Sequence, residues 1–480
     1  MRTNSRHPSS GKSRREFLTT VGSGLGGIAL SHLLDDGGLI PRGAAGELLL
    51  NPLAPRKPHH TPKAKSVIWL FMEGGPSHID LFDPKPLLDK LAGQPMPSSF
   101  PRPITAMGTA NNTLMPSKRQ WNQFGESGLW VSDWYWNIAE HIDDLAVIRS
   151  CVADGLNHVG SVSQMNTGSI LAGRPALGAW VTYGLGSANS NLPTFVVLTD
   201  YKNVFGGAKT WSSGFLPATY QGTPFQREGP PILNLDLPES VSMEQQRGKL
   251  DFLASINRHH AKTRPEDTDL EARIESYELA YRMQSAAPEA VDLSSETPLT
   301  KKLYGIDEEE TKKFGANCLL ARRLVERGVR FVEVYCGSGS GWDAHNDLEG
   351  NHNKWCKVSD KPIAGLLTDL KARGLLEETL VVWGGEFGRT PFNEKGIGRD
   401  HNPWGFTTWM AGGGIKGGQT IGTTDELGFR AIDKPYHVHD IHATIMHQLG
   451  LNHLDVTYFH NGRSERATVN GGKLIQEAIS

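Results

Sequence analysis

The residues of this sequence that could do chemistry are carboxylates and imidazoles that stand beside apolar runs. Their anionic oxygens and neutral nitrogens are the donors that a divalent cation requires in a protein. Any one of them alone is more often a solvated loop charge or a hydrogen-bonded turn, but several at predicted strand boundaries favour one shared metal site. The candidate metal ligands are Glu73, Asp343, His345, Glu386 and His401.

Buried parallel strands are the elements that must position these candidates. Continuous apolar runs are typical of strands covered on both faces, and amphipathic helical patterns cover Ala316–Arg327 and Trp355–Arg373. This alternation predicts an α/β fold with a mostly parallel central sheet and helices on both faces. In such sheets ligands bind beyond the carboxyl ends of the strands, in the loops that carry the candidate residues. The predicted strands are Ser66–Met72, Leu145–Ile148, Phe195–Leu198, Phe331–Tyr335, Leu380–Trp383 and Phe406–Ala411.

The N-terminal segment has the composition of an export signal. Arg14 and Arg15 precede Phe-Leu and a glycine-rich, mildly apolar run over Thr19–Leu34. This pattern resembles the twin-arginine signal, and a chance arginine pair beside a short core helix is the alternative. The run is short for a membrane span, and no later segment is long and apolar enough for one. We therefore expect a signal peptide over residues 1–45 that the twin-arginine export machinery reads, a linker over 46–65, and an exported protein in the periplasm or beyond.

One α/β domain is expected over residues 66–480, with an insertion at about 201–309. The inserted stretch is first rich in Gly, Pro and aromatic residues and then charged and helix-prone, which predicts an inserted helical segment. A net charge of −3 offers no basic field that would attract nucleic acid. The four cysteines form no CxxC pair, and Cys336 and Cys356 could either pair in an oxidising compartment or lie buried as thiols.

The order of these motifs resembles the alkaline phosphatase–sulfatase superfamily. In that superfamily an acidic residue ends the first strand, the nucleophile begins a helix, an Asp and a His follow a middle strand, an acidic loop follows the next, and sulfatases end in a helix that starts much like Asp440–Leu451. Four segments are more closely similar to an uncharacterised bacterial family called domain of unknown function 1501, and the resemblance implies an alkaline-phosphatase-like fold over nearly all the chain after Lys65. They are MEGGPSHIDLFDPKP (Met72–Pro86), GWDAH (Gly341–His345), GGEFGRTP (Gly384–Pro391) and GRDHNPWG (Gly398–Gly405).

Two positions depart from the superfamily pattern. Counting back from Thr167-Gly168 places His158 where a nucleophile would stand, without the Pro and Arg of sulfatases, so a formylglycine sulfatase is not expected. Phe387 stands where an imidazole ligand usually lies, so either a second metal is lost or His158 or His78 replaces the donor. His158 is therefore a metal ligand, a helix cap or a nucleophile, and we expect it at the start of a helix, facing the other candidates.

The resemblance implies a metal-dependent hydrolase of phosphate- or sulfate-type esters that acts on a small anionic ester or on a sulfated or phosphorylated glycan. A zinc or manganese ion suits the mixed oxygen and nitrogen ligands better than magnesium or calcium. Glu73 and Glu386 would hold a second cation or act as general base, and Arg389 or Arg399 would hold the anionic oxygens. The candidate catalytic residues are His158, Glu386 and Arg389.

A non-catalytic relative that binds a metal or a glycan is the alternative function. A fold does not guarantee an activity, and the replaced nucleophile and the lost imidazole favour this alternative. A tryptophan-rich segment could stack on sugars, although buried aromatic side chains are commoner. Its tryptophans are Trp121, Trp130, Trp134 and Trp136.

Overall fold

The computed structural model describes residues 52–101, 104–200, 203–225, 237, 240–263, 268–469 and 471–480. The predicted signal peptide, residues 1–45, and the first part of the predicted linker lie outside the described residues. Residues Pro55–Ser480 form one compact unit. In the described part of the chain, no helix is long and apolar enough to cross a membrane.

A mostly parallel sheet organises this unit. In chain order the strands are β1 (Ser66–Met72), β2 (Trp121–Phe124), β3 (Leu129–Ser132), β4 (Leu145–Val152), β5 (Phe195–Leu198), β6 (Thr223–Pro224), β7 (Phe331–Cys336), β8 (Thr379–Gly384), β9 (Gly388–Glu394), β10 (Gly398–Asn402), β11 (Phe406–Ala411), β12 (Gln419–Ile421), β13 (Thr423–Thr424), β14 (Ala431–Asp433), β15 (Tyr436–His437), β16 (Thr457–His460) and β17 (Arg463–Arg466). The main sheet has the order β12-β4-β11-β8-β1-β7-β5-β6, and β15 also pairs with β4. Strands β8, β1, β7, β5 and β6 are parallel neighbours. In the strand order of the main sheet only β11 runs antiparallel, and it pairs with both β4 and β8. The predicted mostly parallel sheet is therefore confirmed.

The predicted strands coincide with strands of this sheet. Strands β1, β5 and β11 have the predicted bounds, whereas β4, β7 and β8 extend a little beyond them. Every residue of β1, β5, β7, β8 and β11 is buried. A strand covered on both faces has no polar side to alternate with its apolar side, which explains why continuous apolar runs marked these strands.

Helices cover both faces of the sheet, as predicted. They are α1 (His78–Leu81), α2 (Pro86–Lys90), α3 (Trp136–Ala139), α4 (His158–Thr167), α5 (Leu177–Leu185), α6 (Met243–Thr263), α7 (Thr268–Val291), α8 (Pro298–Leu303), α9 (Lys312–Glu326), α10 (Leu348–Ala372) and α11 (Val438–Gln448). Ile68 and Leu70 of β1 belong to the same core cluster as Leu319 of α9 and several apolar residues of α10. The alternate residue Trp69 lies on the other face, where its ring meets His442 of α11 at 6.0 Å.

The stretch predicted as an insertion carries helices α6, α7 and α8. Its helical character is confirmed, and the bounds 201–309 stay a prediction. Helix α7 contributes buried side chains to the main core cluster beside α9, so this stretch is packed against the sheet's helical layer. These side chains are Met283, Ala287 and Ala290.

One predicted loop is instead a β-hairpin. Strands β9 and β10 pair antiparallel between β8 and β11, so Gly398–Asn402 is a strand and not the loop expected from the sequence. All residues of β10 are buried although four of the five are polar or charged, and no polar–apolar alternation reveals the strand. Gly398 is required there, because a Cβ atom would overlap the carbonyl oxygen of His345.

Candidate functional site

The candidate residues meet at the carboxyl edge of the sheet. Glu73 directly follows β1, and Glu386 follows β8 by two residues. Asp343 and His345 lie in the loop between β7 and α10. His401 lies in β10, and the β9–β10 hairpin returns to this edge because it joins the parallel strand β8 to the antiparallel strand β11. Side chains distant in sequence are therefore brought together, as the carboxyl-edge rule predicts.

His158 begins helix α4 and faces the other candidates, which confirms its predicted placement. Asn157 caps the helix, since its side chain accepts the backbone N–H of Gly160. The Nδ1 atom of His158 lies 2.7 Å from Oε1 of Glu386, and its Nε2 atom lies 3.2 Å from Oδ2 of Asp343.

Four side chains converge on one point. His158, Asp343, His345 and His401 each offer one ligand atom within 4.8 Å of the others. Oδ1 of Asp343 lies 3.0 Å from Nε2 of His345 and 3.4 Å from Nε2 of His401. The side chain of Asp343 is 25% exposed, so the cluster opens to solvent and a ligand can reach it.

Hydrogen bonds at Nδ1 fix the orientation and tautomer of all three imidazoles. The oxygen beside each Nδ1 belongs to a carbonyl or a carboxylate, and a carbonyl or ionised carboxylate oxygen accepts hydrogen bonds but cannot donate them. Nδ1 therefore carries the proton, and Nε2 of the neutral ring presents a lone pair. Such outer partners are typical of metal-binding histidines. They are Oε1 of Glu386 for His158 at 2.7 Å, Oε2 of Glu394 for His345 at 2.5 Å, and the carbonyl oxygen of Leu156 for His401 at 2.7 Å.

The converging atoms require a positive charge between them. Nε2 of His345 and Nε2 of His401 lie 3.0 Å apart, and in the neutral tautomers two lone pairs would face each other. Nε2 of His158 and Oδ1 of Asp343 are buried atoms without an aligned hydrogen-bond partner. One divalent cation bonded to all four residues satisfies every one of these atoms, and three nitrogens with one carboxylate oxygen are a ligand set that fits zinc.

The pKa values in the cluster also reflect its affinity for positive charge. Burial opposes ionisation of Asp343, but the three imidazoles around its carboxylate and the charge of Arg389 hold its pKa far below the usual range. Burial likewise disfavours protonated His158, but the adjacent carboxylates of Asp343 and Glu386 outweigh it and raise its pKa to about 9. The pKa of His401 is lowered by burial and by the neighbouring positive groups. A cation that binds here displaces the proton, so binding is linked to pH.

Glu386 lies behind His158 and is not in either group of converging ligand atoms found among the described residues. Its side chain is fully buried. Both of its oxygens lie 3.0 Å from the backbone nitrogen of Gly74, which donates to them, and Oε1 also accepts the Nδ1–H of His158. Gly74 also lets the loop that carries Asp343 pack against the end of β1, because a Cβ atom there would overlap the backbone of Trp342 and Asp343.

Glu73 also lies outside those two groups. It accepts the backbone N–H of Phe205 at 2.6 Å and that of Gly339 at 2.9 Å. Burial and the charge of Glu386 raise the pKa of Glu73 to about 8. These hydrogen bonds fasten the loop that leads to Asp343 onto the end of β1.

The two arginines predicted to hold a substrate are part of the scaffold. Both side chains are fully buried. Arg389 donates from Nε to the carbonyl oxygen of Gly75 at 2.9 Å and lies 2.8 Å from Oδ1 of Asp343. Arg399 pairs with Asp80 at 2.9 Å. Neither guanidinium reaches a ligand without breaking these bonds, so the geometry does not support the predicted contact with anionic oxygens.

Sequence reasoning missed a second group of ligand-type side chains beside the first. His345, Glu394 and Asp400 each place one donor atom within 4.8 Å of the others. Glu394 is buried in β9, and Asp400 accepts the N–H of Met107 at 2.8 Å and the hydroxyl of Thr109 at 2.9 Å. Glu394 is not part of any of the four motifs. A prediction of the β9–β10 hairpin would have been needed to place it opposite His345.

Two other buried histidines, one of them the predicted candidate His78, lie apart from the cluster. His78 is hydrogen-bonded through Nε2 to the carbonyl oxygen of Gly428 at 2.8 Å, and burial lowers its pKa to about 4. His442, in the final helix of the superfamily pattern, is bonded to the carbonyl oxygen of Met165 at 2.8 Å, and burial lowers its pKa to about 3. Both imidazoles are neutral core residues here, and neither replaces the donor lost at Phe387.

The cysteines and the tryptophans of the tryptophan-rich segment are not members of the four-residue cluster. All four cysteines are free and buried, so the alternative of buried thiols holds for Cys336 and Cys356. Trp134 is buried with the guanidinium of Arg119 over its ring at 3.8 Å. Trp130 and Trp136 are 42% and 45% exposed.

The sheet and the four-residue cluster define an α/β protein with a candidate divalent-metal centre at the carboxyl edge of its sheet. A family model described as "Protein of unknown function (DUF1501)" matches residues 64–479. The chain therefore belongs to this family, and the resemblance noted in the sequence is confirmed. A sequence comparison with curated proteins gives no match.

Several solved structures are similar to this chain. An alkaline phosphatase from the Antarctic bacterium TAB5 is 10% identical, with a TM-score of 0.34, and the match covers 82% of this chain and 99% of that one. A lipoteichoic acid synthase from Listeria monocytogenes is 8% identical, with a TM-score of 0.36 and coverage of 85% and 78%. A sulfatase from Pseudoalteromonas sp. is 13% identical, with a TM-score of 0.32 and coverage of 86% and 72%.

Proposed function

We propose that this chain is a metal-dependent hydrolase of phosphate- or sulfate-type esters. The convergence of His158, Asp343, His345 and His401 on one point carries the proposal. Zinc or manganese suits the three nitrogen ligands and one oxygen ligand. Bound there, the cation would polarise an ester oxygen and lower the pKa of a coordinated water.

Other residues of this chain would orient the metal ligands. Glu386 orients His158 and Glu394 orients His345, each through a hydrogen bond to Nδ1 that points Nε2 at the cation. Arg389 holds the carboxylate of Asp343 in place and is assigned to positioning. Glu386, predicted as a ligand and a base, is likewise assigned to positioning, because its oxygens are already engaged. The ligand role of His158 is preferred over the nucleophile role, since its Nε2 atom belongs to the converging set.

The hydrolase proposal is tested by metal analysis followed by an ester screen. Purified protein should carry zinc or manganese, and in that metal it should release phosphate or sulfate from phosphomonoesters, phosphodiesters or sulfate esters. His401→Ala should lose both metal and activity. His259→Ala, which removes an exposed histidine of α6, is the matched control and should keep both. Metal-free protein from a metal-replete preparation would refute the proposal.

A glycan-binding or metal-binding relative without activity is the second candidate function. Trp130 and Trp136 favour it, because 42% and 45% of their surfaces are exposed and exposed rings can stack on sugars. Stoichiometric metal with no ester turnover, combined with glycan binding that Trp130→Ala and Trp136→Ala abolish, would support this function over hydrolysis.

Export is part of the proposed function. Arg14 and Arg15 are the residues that a twin-arginine receptor would read. A cation site in a protein exported after folding would be loaded before translocation, so metal binding and export can be tested on the same preparation.

A further inference from the structure

A carboxyl group is buried in the middle of strand β7 with no role in the site. Glu333 is 1% exposed, and its backbone lies between Trp69 of β1 and Val197 of β5. Its Oε1 atom has no hydrogen-bond partner. A buried polar atom without a partner costs about 1–3 kcal/mol, so core packing alone does not account for a carboxyl at this position.

A buried tyrosine lies beside Glu333 on the same face of β7. The hydroxyl of Tyr335 lies beside Glu333 and Thr210, and it accepts Nδ2–H of Asn166 at 3.1 Å. All four side chains are buried. Burial raises the pKa of Glu333 to about 8, so the neutral acid can donate its proton within this group.

This hydroxyl joins three segments that lead to the cluster. Asn166 lies in α4, the helix that begins with His158, and its Nδ2 also donates to the carbonyl oxygen of Val162 at 2.9 Å. Thr210 lies in the turn Gly207–Trp211, which follows Phe205. The ring of Phe205 stacks on that of His158 with 5.6 Å between centroids. Strand β7 itself leads into the loop that carries Asp343.

We infer that Tyr335 and Glu333 are positioning residues that fix His158 relative to Asp343. The inference rests on the proposed metal site, since it concerns the spacing of two of its ligands. The two ligands come from separate elements, and Nε2 of His158 stands 3.2 Å from Oδ2 of Asp343. A ligand atom must lie roughly 2 Å from the cation, so a small shift of α4 against β7 lowers the affinity.

The test measures metal affinity in chelator competition with matched variants. Tyr335→Phe should weaken zinc binding about tenfold, and Glu333→Leu should do the same. Glu333→Gln should stay close to the wild type, because a neutral amide replaces a neutral acid. Tyr304→Phe is the control, since it removes another buried tyrosine hydroxyl, bonded to Asp369 at 3.0 Å, that faces no ligand. It should lower the melting temperature without changing zinc affinity.

A double-mutant cycle separates positioning from general stability. In the His158→Ala background, Tyr335→Phe should no longer change zinc affinity, because its effect acts through His158. An equal loss in both backgrounds, or a loss shared by the Tyr304→Phe control, would overturn the inference. If Tyr335→Phe does not fold, Asn166→Leu removes the same hydrogen bond from the helix side and enters the same cycle.

A crystal structure keeps this inference distinct from the proposed function. If the wild-type protein binds no metal, the hydrolase proposal fails, and the spacing can still be measured. In metal-free Tyr335→Phe crystals, His158 should move by about 0.5 Å or more relative to Asp343, the scale at which constellations lose function. An unchanged spacing in those crystals would refute the positioning role whether or not the protein binds metal.

Discussion

Glu394→Gln is the sharpest perturbation of the cluster, because it changes one charge and almost no volume. Oε2 of Glu394 lies 2.5 Å from Nδ1 of His345, and the glutamate side chain is only 6% exposed. The glutamine can still accept the Nδ1 proton through its amide oxygen, so the tautomer of His345 is kept. What is lost is the negative charge that strengthens this hydrogen bond and makes Nε2 a better electron donor.

The expected magnitude follows from the contact. A hydrogen bond to a charged, buried group contributes about 1.5–3 kcal/mol, against about 0.5–1.5 kcal/mol for a neutral one. The difference of about 1 to 1.5 kcal/mol corresponds to an about five- to thirteenfold weaker metal affinity at room temperature. Glu394→Ala should cost more, since it leaves the buried Nδ1–H without an acceptor.

The assay is chelator competition on protein reloaded with zinc. Glu377→Gln is the matched control, since it makes the same chemical change at an exposed position. The expected order of affinity is wild type and Glu377→Gln together, then Glu394→Gln, then Glu394→Ala. An affinity for Glu394→Gln equal to that of the wild type would show that His345 is not a ligand or that Glu394 does not tune it.

Three further outcomes are expected. His401→Ala and Asp343→Ala should each lose most of the bound cation in elemental analysis while keeping their circular dichroism, and stoichiometric metal in both variants would contradict the ligand assignment. Replacing Arg14 and Arg15 with lysine should keep the protein in the cytoplasmic fraction, and continued export by the same route would show that the segment has been misread. Glu73 has a folded-state pKa of about 8 against an ordinary value of 4.5, so its protonated form is favoured by folding, and its contribution to stability falls as pH rises from about 4.5 to about 8. Glu73→Gln, measured with chelator, should therefore gain stability relative to the wild type between pH 5 and pH 9, and a pH-independent difference would contradict the shift.

The fold could be predicted from the sequence because its strands are buried on both faces. In Ser66–Met72 every side chain is apolar or small and every residue is buried, so the run itself marks the strand and its end. The β9–β10 hairpin escaped prediction for the opposite reason. Gly398–Asn402 is buried through hydrogen bonds and ion pairs of polar residues, and a local pattern does not reveal a tertiary partner such as Asp80.

The site could be predicted as a neighbourhood but not as a set of contacts. The carboxyl-edge rule brought Asp343, His345 and His401 together, because it depends only on strand direction. It did not distinguish a residue whose ligand atom faces the cation site, such as His158, from a residue that hydrogen-bonds that ligand, such as Glu386. Glu386 and His158 differ in this respect only through side-chain direction, and that direction is set by the N–H of Gly74.

The ring of Phe387 bears on how many cations the site holds. It stacks on His401 with 4.4 Å between centroids and lies 5.1 Å from His158, so an apolar surface occupies the place where the superfamily pattern has an imidazole. Glu386 is the other residue expected at a second cation. Its Oε1 accepts the Nδ1–H of His158, and both of its oxygens accept the backbone N–H of Gly74.

The group of His345, Glu394 and Asp400 does not supply a second position at the same time. The Nδ1 proton of His345 is already held by Glu394 at 2.5 Å, and Asp400 already accepts two hydrogen bonds from other segments. A second cation would have to displace that proton and would withdraw charge from the ligand Nε2 on the same ring. We therefore expect one cation per chain when reloaded protein is titrated and analysed for metal. Two tightly held cations would contradict this reasoning and would require His345 to bridge them.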